Sequence, residues 1–460
     1  MTAGPSLHDA ASRLRDTFAG QLLREGESGY DESRRVHNGL VDKRPALIAR
    51  CRGVADVVDA VHLARDHGAE VSVRGGGHNV AGRAVVERGL MIDLSLMKGI
   101  HVNPKERTVR AQGGVTWGQL NRDTQVYGLA TTGGIVSSTG VAGLTLGGGL
   151  GYLMGKYGLV VDNLLSAEIV MADGRVITAS KDEHPDLFWG VRGGGGNFGL
   201  AVSFEYRLHP VGPTIVGGIA VHAFDRARDV LRFYRDVTAS VPDEFTVYAG
   251  VIHAPDGSGA QLVAVLLCHC GPLGEGDVAV RPIKRFGSPV LDVVGPMPYC
   301  QVNAMLDADY PRGALNYWKS SFLTELSDQA IDAMIDCFAR CPTSMRGSGI
   351  VLEHVHGAAT RVGVADTAFP HRRDGYSLLV LTQWMDPAQS ERCIAWARES
   401  FATMKPFTAD GGYVNYLDHD ETDERVAAAY GPNHGRLGKL KVKYDPDNFF
   451  HLNQNIRPVA

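Results

Sequence analysis

Seventeen of the chain's 56 glycines crowd between Gly133 and Gly199. Glycine tolerates positive φ and lets backbone approach a surface closely, so this stretch must turn sharply or lie against something large. Glycine is about 12% of the 460 residues, where about 7% is usual. The rest of the composition is ordinary, with 44% hydrophobic and 21% charged residues. That length predicts two or three domains with large cores. A net charge of −5 argues against a nucleic-acid partner, which needs a basic surface.

The glycines fall into loops beside periodic segments. The first loop, Arg74-Gly75-Gly76-Gly77-His78-Asn79, follows the strand-like AEVSV and clears all bulk from around one imidazole. It reads either as an anion nest for a diphosphate or as a tight turn with an incidental histidine. The second loop runs from Thr139-Gly140 through Gly143-Leu144 to Gly147-Gly148-Gly149. The third, Arg192-Gly193-Gly194-Gly195-Gly196-Asn197-Phe198-Gly199, contains a literal G-x-G-x-x-G. A Rossmann site needs a strand before this motif and a helix after it. Here helix-like HPDLFWGVR precedes it and strand-like LAVSFEYRL follows, so the Rossmann reading fails.

Three textures divide the chain. Residues 1–40 read as polar and helical. From Lys43 to Pro213 short β-branched runs alternate with helices, including 54–67 ending at Gly68 and a hairpin around Asp173-Gly174. From Thr214 to Asp410 longer apolar strands alternate with amphipathic helices, which predicts an antiparallel sheet with helices on one face. The last fifty residues are polar and aromatic. The fold class is therefore α+β.

Seven cysteines, an odd count without CxxC, fit a reducing compartment. Cys268 and Cys270 share a face of an apolar strand, as core thiols or a metal pair. His354 and His356 also point one way, but no third ligand is in register, so no metal is expected. The first twenty residues carry no apolar core of signal-peptide length and no run is long enough to span a membrane. A cytoplasmic protein, free of membrane, is the expectation.

Several segments carry a family resemblance: RGGGHNVAG, GLMIDLSLMKGIHV, GLTLGGGLGYLMGKYGLVVDN, DLFWGVRGGGGNFG and YDPDNFFHLNQNI. They resemble FAD-linked oxidases of the vanillyl-alcohol oxidase/p-cresol methylhydroxylase (PCMH) fold. More narrowly, they resemble the berberine-bridge-enzyme-like branch, which includes flavoenzymes of bacterial natural-product clusters. The resemblance implies a PCMH-type FAD-binding domain at 1–212 with its core at 43–212, a substrate domain of antiparallel sheet covered by helices at 213–410, and a return to the FAD domain at 411–460. FAD would lie against Arg74, Gly75, Gly76, Gly77 and Asn79. It would also meet Thr139, Gly140, Gly143, Leu144, Gly147, Gly148 and Gly149, then Gly193, Gly194 and Gly195, and Asn415 and Asn453. His78 would bond covalently to the flavin 8α-methyl carbon. Relatives with a second bond use a cysteine where this chain has Val136, which implies a single bond and lowers the carbohydrate-oxidase reading.

The resemblance also implies the chemistry. Thr139 would border the oxygen-reactive edge of the flavin, or merely cap a turn. Tyr413-Val414-Asn415-Tyr416-Leu417-Asp418 matches the family's Tyr-x-Asn-Tyr-x-Asp. Strand alternation would put Tyr413 and Asn415 on one face and Tyr416 on the other. Tyr413 is a candidate base if Arg74 or Lys319 lowers its pKa. Glu353 and Tyr248, on apolar strands, are candidates for base or polariser, or else strand-edge residues. The expected activity is oxidation of a small or medium secondary metabolite, with dioxygen reduced to hydrogen peroxide. An oxygenating flavoenzyme of a polyketide pathway, a dehydrogenase using another acceptor, and a non-catalytic flavin-binding module are the alternatives. The expected partners are a small-molecule substrate and dioxygen; a homodimer is left open.

Overall fold

The computed structural model describes residues 11–459 apart from 13 and 15. Three large sheets carry it, beside a two-stranded ribbon of Leu129–Ala130 and His209–Pro210. In the first, strands Leu47–Arg50, Leu90–Asp93 and Val71–Arg74 run parallel, and Gln21–Leu23 adds an antiparallel edge. That edge strand lies in the segment expected to be helical; its backbone pairs with Ile48, Ala49 and Arg50 instead. The expectation for residues 1–10 lies outside the described residues. The helix Val54–Asp66 buries Val57, Val61 and Leu63 against this sheet and stops before Gly68, whose φ is +59°.

The second sheet is antiparallel, in the order Ile100–Asn103, Thr108–Gln112, Leu200–Arg207, Leu164–Val170 and Val176–Ser180. Its last two strands are the expected hairpin, and Gly174 takes a φ of +83° at the turn. The segment before the third glycine loop is the helix Pro185–Val191 and the segment after it is a strand, in agreement with rejection of a Rossmann site.

The third sheet has eight strands between Thr214 and Trp384, all antiparallel. Helices Ala227–Thr238, Asp328–Phe338 and Ser390–Met404 bury Leu231, Ile331 and Trp396 against one face, with Val247, Leu352 and Val380. Alternation sends the intervening residues to the other face. There Tyr248 stands opposite Glu353, and Gly250 opposite Val351. That face looks back toward the glycine loops.

The C-terminal segment returns to those loops. Lys441 is fully buried; its Nζ donates to the carbonyl of Asn197 at 2.6 Å and pairs with Asp445 at 2.6 Å. The Ile456 N–H donates to Asn197 Oδ1 at 2.9 Å. All seven cysteines are free, and Cys268 and Cys270 are buried in the core. No group of three ligands suited to a metal occurs among the described residues, and no described helix is long and apolar enough to cross a membrane.

Candidate active site

A cavity of about 380 Å³ separates the glycine loops from the third sheet. One wall is backbone. Gly76 and Gly140 touch: a methyl group on Gly76 would sit 2.5 Å from the Gly140 nitrogen, and one on Gly140 would meet Gly76 at 2.5 Å. Two loops distant in sequence can meet only because neither carries a side chain there. Gly143 and Gly196, also in the lining, have open space where a Cβ would stand.

His78 sits in this wall. Its ring stacks on His37 with centroids 4.0 Å apart, and its buried Nε2 has no hydrogen-bond partner. Burial pushes the His78 pKa down to about 3 and that of His37 to about 4, so both imidazoles are uncharged at neutral pH.

The opposite wall is side chain. Glu353 is 3% exposed, and its Oε1 accepts from the Tyr416 hydroxyl at 3.0 Å. Its Oε2 is buried without a partner, as is the Tyr248 hydroxyl on the adjacent strand. Desolvation pushes the Glu353 pKa up to about 7. Trp318, Tyr310, Leu379 and Leu381 line the same side.

Residues 45–180 match the FAD binding domain family, and residues 412–457 match the berberine and berberine-like family. The (R)-6-hydroxynicotine oxidase of Paenarthrobacter nicotinovorans is 34% identical over 457 residues, covering 96% of this chain and 97% of that protein. The chain belongs to the berberine-like FAD-linked oxidoreductases. An FAD-linked oxidoreductase of Dictyostelium discoideum is 30% identical over 450 residues, 96% of each chain. The crystal structure of 6-hydroxy-D-nicotine oxidase from Arthrobacter nicotinovorans superposes with a TM-score of 0.87 at 31% identity, covering 96% of this chain and 98% of that one.

The residues present fit the FAD that this berberine-like family binds. The channel is floored by glycine backbone, His78 Nε2 is unspent, and the buried Oδ1 atoms of Asn79 and Asn453 lack partners. Gly75, Gly76, Gly77, His78, Asn79, Thr139, Gly140, Gly143, Leu144, Gly147, Gly195, Asn415 and Asn453 all line the cavity.

Other expected contacts lie behind that lining. Arg74 points away: its guanidinium pairs with Asp93 at 2.5 Å and donates to the carbonyls of Ser33 and Arg35. It braces the first loop from below. Gly148 and Gly149 have φ of +124° and +86°, and added Cβ atoms would strike Phe369 and Val160. Gly193 abuts the Phe369 backbone, and Gly194 abuts the Gly190 carbonyl. These four glycines serve chain packing.

The Tyr-x-Asn-Tyr segment is not a strand. Val414–Tyr416 forms a 3-10 turn in which the Tyr416 N–H donates to the Tyr413 carbonyl at 2.8 Å. The turn buries Tyr413 completely and spends its hydroxyl on the Gly149 N–H and the Asn415 side-chain amide, each at 2.8 Å. Tyr416 therefore faces Glu353 and the cavity, while Tyr413 lies outside the lining. Burial raises the pKa of both tyrosines. Neither expected cation is nearby: Lys319 pairs with Asp420 at 2.7 Å and Glu421 at 2.8 Å. A spacing of three suits a turn as well as alternation suits a strand, and the turn is what carries Tyr416 to the cavity. Nothing in the pattern marked His37, Tyr310 or Trp318.

Proposed function

We propose that the chain is an oxidase that holds FAD by one bond from His78, oxidises a small or medium metabolite, and passes the electrons to dioxygen to give hydrogen peroxide. The observation that carries this reading is His78 itself, an uncharged imidazole with an unpartnered nitrogen in the cavity wall. A neutral imidazole nitrogen is the nucleophile such a bond requires. Val136 in the position of the second linkage supports a single bond. Residues 1–212 with 411–460 form the FAD unit in this reading, and 213–410 the substrate unit.

When bound, FAD supplies the two-electron acceptor that dioxygen reoxidises. The chain supplies the proton chemistry. Glu353 takes a proton from a substrate O–H or N–H at Oε2, while the Tyr416 hydroxyl holds Oε1 and fixes the carboxylate plane. Tyr248 offers a hydroxyl beside it. Thr139 borders the cavity from the flavin wall and is assigned to the dioxygen side.

Acid precipitation tests the bond. The yellow colour should stay with the polypeptide, whose mass should exceed the chain by one FAD, and His78→Ala should release or lose the flavin. Free flavin in the wild-type supernatant would remove the covalent claim. Oxygen uptake with matching peroxide release separates an oxidase from a dehydrogenase.

A further inference from the structure

The two arginines that line the cavity are held differently. Arg346 is committed: it contacts Asp309 at 3.3 Å and donates to the carbonyls of Pro255 at 3.1 Å and Ala308 at 2.7 Å. Arg83 has no ion pair among the described residues. Its Nε is buried without a hydrogen-bond partner, and its Nη2 makes one long bond, 3.5 Å, to the His419 carbonyl. Nε and Nη2 form an edge of the guanidinium that can grip an oxyanion by two parallel bonds, and here that edge is nearly unspent.

The charges around Arg83 do not answer it. Asp418, the carboxylate that favours its charged form, is fully buried; Oδ2 accepts from the Trp318 N–H at 3.0 Å and Oδ1 from the His419 N–H at 2.6 Å. Lys43 is a second cation nearby, half-buried and also without an ion pair among the described residues. Burial, and then repulsion from Arg83, hold its ammonium below the usual lysine range. Glu70 and Glu87 act on Lys43 in the opposite sense but are engaged elsewhere, Glu70 with His451 at 3.1 Å and Glu87 with the Arg44 N–H at 2.9 Å. Two partly desolvated cations that repel each other, with no counter-charge in contact, make a place where an anion relieves both.

Arg83 stands where the two walls meet. Val80, three residues before it, packs with Trp318, Leu379 and Leu381 of the substrate wall. The Asn38 amide donates to the carbonyls of Val80 at 2.7 Å and Asn316 at 2.9 Å, tying this loop to that wall. The His419 side chain is 57% exposed, so the seam lies close to the protein surface. The glycine N–H groups suited to a diphosphate come before His78, and Arg83 comes after it, on the side of the substrate wall.

We propose that Arg83, backed by Lys43, is an oxyanion-binding point at the mouth of the cavity, and that the substrate carries a carboxylate which docks there. This rests on the cavity being the substrate site of an oxidase. Ionised Glu353 repels a second carboxylate beside it, so an anion held at Arg83 leaves the oxidisable group of the same molecule to Glu353. The pair thus fixes which end of the substrate enters first.

Saturable perturbation of the flavin spectrum of the holoenzyme tests the claim with benzoate and its neutral counterpart benzamide. Benzoate should bind about tenfold or more tighter than benzamide at low salt, and raising the ionic strength to about 0.3 M should weaken benzoate severalfold while leaving benzamide in place. Arg83→Gln should weaken benzoate about tenfold or more and benzamide less than about twofold. Lys43→Gln should weaken benzoate about threefold, and Arg83→Lys, which keeps the charge and loses the fork, should fall between wild type and Arg83→Gln. Benzoate binding no tighter than benzamide, or equal losses of the two in Arg83→Gln, would overturn the proposal. So would a folded Arg83→Gln protein purified with its flavin content reduced about tenfold, because the oxyanion would then be the FAD diphosphate. Should the Arg83 variants fail to fold, the wild-type ranking, its salt dependence and Lys43→Gln still decide. Failure of the oxidase reading shows differently, as carboxylates that bind in this pattern while none of them drives oxygen uptake.

Discussion

The flavin wall and the substrate wall face each other across one cavity and are made in opposite ways. On the flavin side, function lies in what is missing: Gly76 and Gly140 touch because neither has a Cβ, and His78 is bare because glycines precede it. On the substrate side, function lies in side chains that a sheet register brings together, as Tyr248 meets Glu353 across two strands. A backbone wall holds one shape for a common cofactor. A side-chain wall can be rewritten residue by residue without disturbing the sheet, so a family can keep the first and vary the second.

The difference is tested most severely at Glu353. If the substrate wall does its work through single side chains, Glu353→Gln should lower the rate of flavin reduction by about 10²–10⁴ while FAD stays bound. Stopped-flow reduction beside an absorbance measure of bound flavin reads both. The pH dependence follows from a carboxyl raised from 4.5 to about 7. The base is the ionised form, so kcat/KM should rise with pH through about 7 and then level off. Stability should move the other way. Between about 4.5 and 7 the native chain keeps a proton that the unfolded chain has released, so stability falls as pH rises, by about 3 kcal/mol across that window. Glu353→Gln should flatten both profiles, and an unchanged rate profile in the variant would place the base elsewhere.

The same contrast explains what was legible in the sequence. Glycine loops next to a histidine are a local signal, so most of the first loop and part of the second fall at the cavity as expected, while Arg74, Gly148 and Gly149 lie behind its lining. The helix at 54–66 and the hairpin at Gly174 were readable for the same reason, since period and turn residue are local. Arg74 and Tyr413 were misplaced because their partners are remote: Asp93 lies on the adjacent parallel strand and Gly149 lies more than 260 residues before Tyr413. Tyr416 was misplaced by one local error, a turn taken for a strand, which exchanged the faces of two tyrosines. Trp318 needed the register of strand Leu315–Leu323 against strand Gly375–Trp384, which periodicity alone does not supply.

A smaller effect is expected at Thr139, where a side chain intrudes on the backbone wall. Its turn is held by main-chain bonds: the Thr139 N–H donates to the Val136 carbonyl at 3.1 Å, and its own carbonyl accepts from the Trp117 N–H at 2.9 Å. Those bonds survive replacement of the side chain. Thr139→Leu fills cavity volume and should slow reoxidation of photoreduced enzyme by aerated buffer about tenfold, or about 1.4 kcal/mol of barrier. Reduction by substrate should change much less. Thr139→Val keeps the shape and should stay near wild type if volume is the control. Equal reoxidation rates in all three proteins would remove Thr139 from the oxygen path.

An effect on stability alone is expected where the two walls are joined. Asp307, beside the lining residues Leu306 and Asp309, reaches across to the loop that carries Val136 and Thr139. One carboxylate oxygen accepts from the Ser137 N–H at 2.8 Å and the other from the Ser137 hydroxyl at 2.5 Å. Asn303 adds a bond from its amide to the Gly134 carbonyl. This strap is one of several ties across the cavity, beside the bond from Asn38 Nδ2 to the Asn316 carbonyl at 2.9 Å and the Arg372–Asp162 pair at 2.7 Å. Ser137→Ala removes the hydroxyl bond and leaves the backbone bond in place. A hydrogen bond to a charged group at a half-buried site contributes about 1–2 kcal/mol. Denaturant unfolding of the holoenzyme should register a loss of about that size. Asp307→Asn should lose less than Asp307→Ala, because its amide can still accept from the Ser137 N–H while donating to the hydroxyl. If Asp307→Ala is no less stable than Asp307→Asn, the strap does not help hold the walls together, and their spacing comes from the other bonds and packing across the cavity.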